Sequence, residues 1–373
     1  MKITCVQENL AKALIHSSRL ISLRSTLPIL ENVLLTTDQG RLKISATDLE
    51  LGINYWIGVK IEEDGGVAVP SRLITEFVSN IREEKINLIT STFDVKIEGE
   101  KYNATIKGMN PEDFPTIPDI SNHHLFSIPV KQLQSAISQV IFSAAGDNTR
   151  PTLAGVLIKY EKETLKMVAT DSYRLAEKTI KVSATDKKAF QCIVPSRTIN
   201  EVGKLLKDAG EKIDICYDGN QILFDFGSIH LISRLIDGQY PNYEQIIPVS
   251  FETFITVEKD ELMNVCKVAS LFARESANSI KLRIMPGDED GKGSLMISGQ
   301  GVQIGESTNS IPVTFQGKEI EISFNAKYLL DVLPTITEKT IEMKFSGPAS
   351  PGVMYGAGKD DYVYLIMPLK ATN

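Results

Sequence analysis

Between residues 8 and 23 the apolar side chains Leu10, Ala13, Leu14, Leu20 and Ile21 share one helical stripe, while Lys12, His16 and Arg19 fall on the opposite face. Spacings of three and four are those of an amphipathic helix. The period then changes. Leu51, Ile53, Tyr55, Ile57, Val59 and Ile61 alternate with mostly polar or small neighbours, the two-residue period of a half-buried strand. Helical spacing returns after Pro70 with Leu73, Ile74, Phe77, Val78 and Ile81. Proline suits a helix start, where its missing N–H has no partner to lose. Asp38-Gln39-Gly40 and Tyr217-Asp218-Gly219-Asn220 carry the residues of hairpin turns. The predicted unit is helix, strands, helix, strands: an α+β fold in which helices cover one face of antiparallel sheet.

The unit repeats. Ala46-Thr47-Asp48-Leu49 returns as Ala169-Thr170-Asp171-Ser172, 123 residues later, and Val69-Pro70-Ser71-Arg72 as Val194-Pro195-Ser196-Arg197, 125 later. Phe114-Pro115 near Ile117-Pro118 is echoed by Tyr240-Pro241 near Ile247-Pro248. The last third follows the same order loosely, with Leu295-Met296-Ile297-Ser298 and then Phe324-Asn325-Ala326-Lys327. Three repeated domains are expected, over 1–120, 121–248 and 249–373, divided where prolines interrupt regular structure.

A chain of 373 residues with 42% hydrophobic residues buries a large core. The opening residues lack a secretory apolar run, no stretch spans a bilayer, and Cys5, Cys192, Cys216 and Cys266 form no C-x-x-C pair. These features predict a cytoplasmic protein with buried free thiols and no membrane partner. Nucleophile elbow, P-loop and dinucleotide fingerprints are absent. His16, His123, His124 and His230 are not paired with carboxylates at ligand spacing, so no metal, cofactor or catalytic residue is expected. Asp48 and Asp171 would tempt as an acid/base pair, but equivalent positions in two repeats read better as turn-forming aspartates. The acidic loop Asp288-Glu289-Asp290 beside Gly287, Gly291 and Gly293 reads as a plain hairpin.

The net charge of −7 argues against a simple high-affinity nucleic-acid binder. Segregation alters that. Lys12, Arg19 and Arg24 accompany the first helix, Arg72 and Arg82 the second, Arg197, Lys204 and Lys207 the middle unit, and Lys267, Arg274 and Lys327 the last. The first helix of the middle unit departs, its outer face showing Gln132, Ser135 and Gln139 with Lys131. Basic helices on one side and acidic loops on the other suit a ring that holds DNA topologically through weak phosphate contacts.

With Thr26-Leu27-Pro28-Ile29-Leu30, Ala46-Thr47-Asp48-Leu49-Glu50, Asp113-Phe114-Pro115, Arg174-Leu175-Ala176, Asp237-Gly238, Phe324-Asn325 and Met367-Pro368-Leu369, the chain resembles the bacterial DNA polymerase III beta subunit family, the sliding clamps, over essentially its whole length. The resemblance implies three domains of the DNA-clamp fold, with helices lining the interior of a ring and antiparallel sheets outside. It implies a head-to-tail homodimer around double-stranded DNA. The matching interface positions are Ala104 and Ile106 against Leu271 and Phe272. DNA contacts map onto Arg24 and Arg72 and onto Arg150 in the loop Gly146–Thr152, which lacks the glutamine and tyrosines of some members; Arg197 and Lys204 join them from the basic helices.

A pocket for short peptides rich in Gln and Leu or Phe is implied at Leu153, Thr170, Ser172, Tyr173, Arg174, Leu175, Pro241 and Ile246, with Asn325, Tyr328, Ala349, Pro351, Leu365, Met367, Pro368 and Leu369. Leu175 and Leu365 also read as plain core. Implied partners are the DNA polymerase III alpha subunit and other polymerases, an ATP-dependent clamp loader and other proteins bearing the clamp-binding motif. Two rivals are a hydrolase using Asp48 or Asp171 and a paralogous ring without a replication role.

Overall fold

The computed structural model describes residues 1–21, 27–147, 149–182, 189–288 and 291–369. They contain six α-helices: α1 (Gln7–Ser18), α2 (Ser71–Asn80), α3 (Val130–Val140), α4 (Ser196–Leu205), α5 (Lys259–Phe272) and α6 (Ala326–Val332). Helices α1, α3 and α5 each follow directly on a strand, Lys2–Val6, His124–Pro129 and Thr253–Glu258. Helices α2, α4 and α6 follow the strands that end in Pro70, Pro195 and Asn325. The threefold grammar of the sequence is thus a threefold β-α structure.

The predicted stripe of α1 is its buried face: Leu10, Ala13 and Leu14 are fully buried, each leucine contributing roughly 1.5–3 kcal/mol relative to exposure. The helix is shorter than the expected 8–23, ending at Ser18 with Arg19 as its C-cap. Two expected outer-face residues are also buried. His16 and its counterpart on α3, Gln139, are 7% and 4% exposed. A second element covers what the helical period marked as the polar side, and both side chains hydrogen-bond to it: His16 to Asp208 and Gln139 to the Thr335 carbonyl.

Over these residues the chain forms two compact units, one built on Met1–Val130 with Glu201–Leu235, the other on Lys131–Val182, Lys187–Asn200 and Ile236–Asn373. In the first, strand order runs from Asn103–Lys107 at one edge through Asp94–Glu98, Lys85–Ser91, Lys2–Val6, Leu51–Glu63, Ile229–Arg234, Gln221–Asp225 and Lys212–Tyr217 to His124–Pro129. In the second it runs from Phe190–Pro195 through Gly155–Glu161, Thr164–Thr170, Arg174–Lys181, Tyr362–Ile366, Gly352–Gly356, Thr340–Phe345, Thr253–Glu258, Gly305–Gly317, Lys292–Gly301 and Ser279–Pro286 to Ile320–Asn325.

Each unit contains one joint where successive repeats share a sheet. Leu51–Tyr55 pairs antiparallel with Ser233–Ile229, Ile53 opposite Leu231. Arg174–Lys178 pairs the same way with Ile366–Tyr362, Ala176 opposite Tyr364. The joint explains why the alternation expected of Leu51–Ile61 fails at its start: the first five residues are all buried, and buried Asn54 is satisfied by the Ser45 hydroxyl at 2.7 Å. The turn at 38–41 is the predicted tight hairpin, Asp38 opposite Arg41 with Gln39 and Gly40 at φ 48° and 78°, the left-handed pair that a primed turn requires.

Candidate functional site

The Ala-Thr-Asp element builds the same loop twice. In repeat one the Asp48 Oδ1 accepts the backbone N–H groups of Glu50 and Leu51 at 3.1 and 2.8 Å; in repeat two Asp171 Oδ1 accepts those of Tyr173 and Arg174 at 2.9 and 3.0 Å. Thr47 and Thr170 accept from the residue two on and donate to the carbonyl four on. Leu49 and Ser172 take left-handed φ values of 77° and 78°, a cost of roughly 1–2 kcal/mol that these four hydrogen bonds offset. The aspartates are turn formers, as expected, and carry no free acid/base pair.

The second loop presents Arg174 toward the last repeat. Its Nε lies 3.0 Å from Asp171 Oδ2 and its Nη1 2.6 Å from Asp331 Oδ2, with the side chain only 9% exposed. The guanidinium also stands 4.6 Å over the ring of Tyr328 and 5.4 Å over that of Phe142. Burial works against its charge, but the Asp331 hydrogen bond and the surrounding negative charge raise its pKa above the ordinary arginine value. Tyr328 is held in turn, its carbonyl accepting from the Tyr364 hydroxyl at 2.9 Å.

The segment 367–369 is stitched to this group. Met367 N–H donates to the Tyr173 carbonyl and Leu369 N–H to the Ser323 carbonyl, both at 2.8 Å, so Met367, Pro368 and Leu369 lie half-buried between loop and strand. Asn325 caps α6 by accepting from Lys327 N–H. Leu153 and Thr170 are buried, while Tyr173 is 57% exposed.

Leu175 and Leu365 face each other across the joint and are 1% exposed. They belong to an apolar cluster with Leu157, Val168, Ile193, Tyr243 and Val353, on which Tyr240 packs; the core reading holds for both, and they can supply only a floor. Pro241 lines a separate small cleft of about 200 Å³ with Tyr240 and Tyr243. Ile246 and Ala349 are exposed and Pro351 half-buried, without a polar link to Arg174.

Among the basic candidates, Arg72 opens α2 with its side chain 75% exposed and Nε 2.8 Å from Glu76. Lys204 lies 2.6 Å from Glu201. The Arg72–Glu76 pair is exposed on both sides and worth about 0–1 kcal/mol, whereas Glu201 beside Lys204 is only 10% exposed. Arg197 is exposed on α4. Arg150 donates to the Ser172 hydroxyl at 2.6 Å, which ties a DNA candidate to a pocket candidate. Arg24 lies outside the described residues.

Of the interface candidates, Leu271 is 50% exposed on α5, beside Val268 at 42%. Phe272 is half-buried. Ala104 and Ile106 sit on the edge strand Asn103–Lys107, but Ile106 is 3% exposed and turned into its own unit. That strand offers a neighbour its open main-chain edge.

Sequence reasoning missed a junction built on His16. Its Nε2 lies 2.8 Å from Asp208, Arg19 approaches Nδ1 at 3.3 Å, and Lys12 reaches Asp208 at 2.6 Å. Desolvation and the Arg19 charge lower the His16 pKa against the pull of Asp208. His124 and His230 likewise meet Asp214 and Asp225, pairings that linear spacing concealed. Among the described residues no group of three or more His, Cys, Asp or Glu stands close enough to hold a metal ion. The four thiols are buried and free, and desolvation pushes Cys5, Cys192 and Cys266 up to about 12. No described helix is long and apolar enough to cross a membrane.

Models of the DNA polymerase III beta subunit match the chain in order: the N-terminal domain over residues 1–118, the central domain over 127–242 and the C-terminal domain over 244–370. The beta sliding clamp of Synechococcus elongatus is 30% identical, with 99% of each chain covered. The chain belongs to the DNA polymerase III beta subunit family. It is a sliding clamp, a non-catalytic processivity factor with three clamp domains. The Bacillus subtilis beta sliding clamp is 29% identical over 99% of this chain and all of that one. Its crystal structure superposes with a TM-score of 0.95 at 28% identity and full coverage of both chains, and that of the Pseudomonas aeruginosa beta subunit with 0.92 at 27%, covering 99% of this clamp and 100% of the other.

Proposed function

We propose that two copies of this clamp close head to tail into a ring around double-stranded DNA, with domains divided near residues 120 and 248. The reading is carried by the two joints within the chain. Each places the last strand of one repeat on the long strand of the repeat before it, in one register: Leu231 opposite Ile53, and Tyr364 opposite Ala176. Repeat one also has a last strand, Asn103–Lys107, paired on one side only among the described residues. Repeat three also has a long strand, Gly305–Gly317, paired with Lys292–Gly301 along its length but with Thr253–Glu258 only beyond Val313.

Carrying the register over puts Ala104 opposite Ser307 of the partner subunit. The partner interface is heterologous, so in a dimer whose rotation completes the circle the same contact occurs twice. On α5, exposed Val268 occupies the repeat position of His16 and Gln139. An apolar patch that includes Leu271 would therefore seal the intermolecular joint where polar side chains seal the other two.

In this ring Arg24, Arg72, Arg150, Arg197 and Lys204 meet phosphates. A pocket centred on Tyr173, Arg174, Tyr328 and Met367, with Leu175 and Leu365 beneath it, takes Gln-, Leu- and Phe-rich peptides from the polymerase III alpha subunit, other polymerases and the ATP-dependent loader. Tethering raises local concentration without new contacts. The protein works in the cytoplasm.

The test is a chain carrying Ala104→Cys and Ser307→Cys, treated with a short bismaleimide. The native thiols are buried and stay unmodified. Covalent dimers are expected; a protein that runs as a monomer by light scattering and never cross-links contradicts the proposal.

A further inference from the structure

We infer that the joint between repeats one and two carries a second docking cleft, which takes a short extended peptide presenting a branched apolar side chain next to a carboxylate. The inference rests on reading the Arg174 region as a peptide pocket. The first joint reproduces the loop and backbone hydrogen bonds of that region, with Leu51 in the place of Arg174. Besides the paired aspartate and threonine loops, Arg234 N–H donates to the Glu50 carbonyl at 2.9 Å where Met367 N–H donates to that of Tyr173 at 2.8 Å. Ile232 sits opposite Gly52 where Leu365 sits opposite Leu175. Pro115 stands for Pro241.

At this place the surface opens into a cleft of about 380 Å³, within the range of small-ligand sites of roughly 300–1,000 Å³. Its floor is Ile232 and Ile117, packed on the cluster of Ile120, Cys216 and Leu223. Leu49, 48% exposed, stands at the mouth. Apolar walls of this kind select an apolar side chain.

Two polar features choose its neighbours. Gln221 lines the cleft, and a side-chain amide offers an extended peptide both a donor and an acceptor. Arg234 touches Glu50 only at 3.5 Å, with both side chains largely exposed, so its guanidinium fork remains open to a carboxylate in bidentate geometry. Arg234 replaces Met367 of the second joint, so the cleft favours an acidic residue where that pocket favours an apolar one.

The probe is the pentapeptide Gln-Leu-Asp-Leu-Phe, with a photoreactive benzoylphenylalanine form for mapping. Titration by calorimetry is expected to saturate at two peptides per chain, with adducts both at residues 47–52 and 115–118 and around Tyr173 and Met367. Leu49→Asp keeps the left-handed turn, which aspartate tolerates, and is expected to reduce the count to one and remove only the first adduct. Tyr173→Ala is expected to weaken the other site by about tenfold and spare the first. One peptide per chain, mapped to Tyr173 and unmoved by Leu49→Asp, overturns the inference and leaves the pocket reading standing. Binding only near Leu49 overturns that reading and upholds the cleft; no binding at all overturns both.

Discussion

Arg174→Ala is the sharpest test of how the Arg174 region is held. The substitution removes two carboxylate contacts and two cation–π contacts from a side chain 9% exposed, leaving Asp171 and Asp331 at 16% and 29% exposure without their counter-charge. Stripping one partner from a fully buried pair costs about 3–5 kcal/mol. Water at Asp331 reduces that, and the lost Tyr328 contact adds about 0.5–2 kcal/mol. A net loss of about 3 kcal/mol is expected, read as a lower urea midpoint by circular dichroism.

Adding Asp331→Asn to Arg174→Ala removes the stranded charge and is expected to recover about 1–2 kcal/mol of the loss. The peptide Gln-Leu-Asp-Leu-Phe is expected to lose affinity in both variants. A loss below about 1 kcal/mol for Arg174→Ala, or no recovery in the double variant, shows that this arginine does not hold its loop to Asp331 and Tyr328.

Two further outcomes follow from other joints. His16, facing Asp208, Arg19, Lys12 and the Tyr55 ring, has a folded pKa below its unfolded value of 6.5. The unfolded chain therefore binds the proton more readily, and stability present above pH 6.5 is lost as pH falls through the folded pKa. His16→Gln, which installs the residue that repeat two uses at Gln139, is expected to flatten that loss, monitored by urea unfolding through the single tryptophan, Trp56, in the same unit; an unchanged pH profile contradicts the assignment. Leu271→Asp with Phe272→Asp is expected to yield monomers by light scattering, and intact dimers would reject the apolar seal.

The local parts of this fold were legible in the sequence. Asp48 and Asp171 announced their turns because an Asx turn is closed by residues two and three positions away, and Gln39-Gly40 announced a primed hairpin for the same reason. The repeat gave three units because each copy carries its own punctuation. His16 and Gln139 were misplaced because helical period marks a polar face without telling whether another repeat covers it.

The register at the joints was equally invisible. Ile53 and Leu231 are 178 positions apart, and alternation fixes which face a side chain takes, not which strand lies beside it. Asp331, which anchors Arg174, lies 157 positions from it in the chain, and its role appears once α6 is folded against the loop. Gln221 and Arg234 carried no motif, although the duplicated Ala-Thr-Asp loop was a signal that its surroundings were duplicated too.

The central claim is that duplex DNA passes through a hole instead of adhering to a surface. It is tested most directly by loading the clamp onto nicked circular DNA, removing free protein, and measuring retention before and after one restriction cut. Retention on the circle at moderate salt and rapid release from the linear form are expected; equal retention on both contradicts the account.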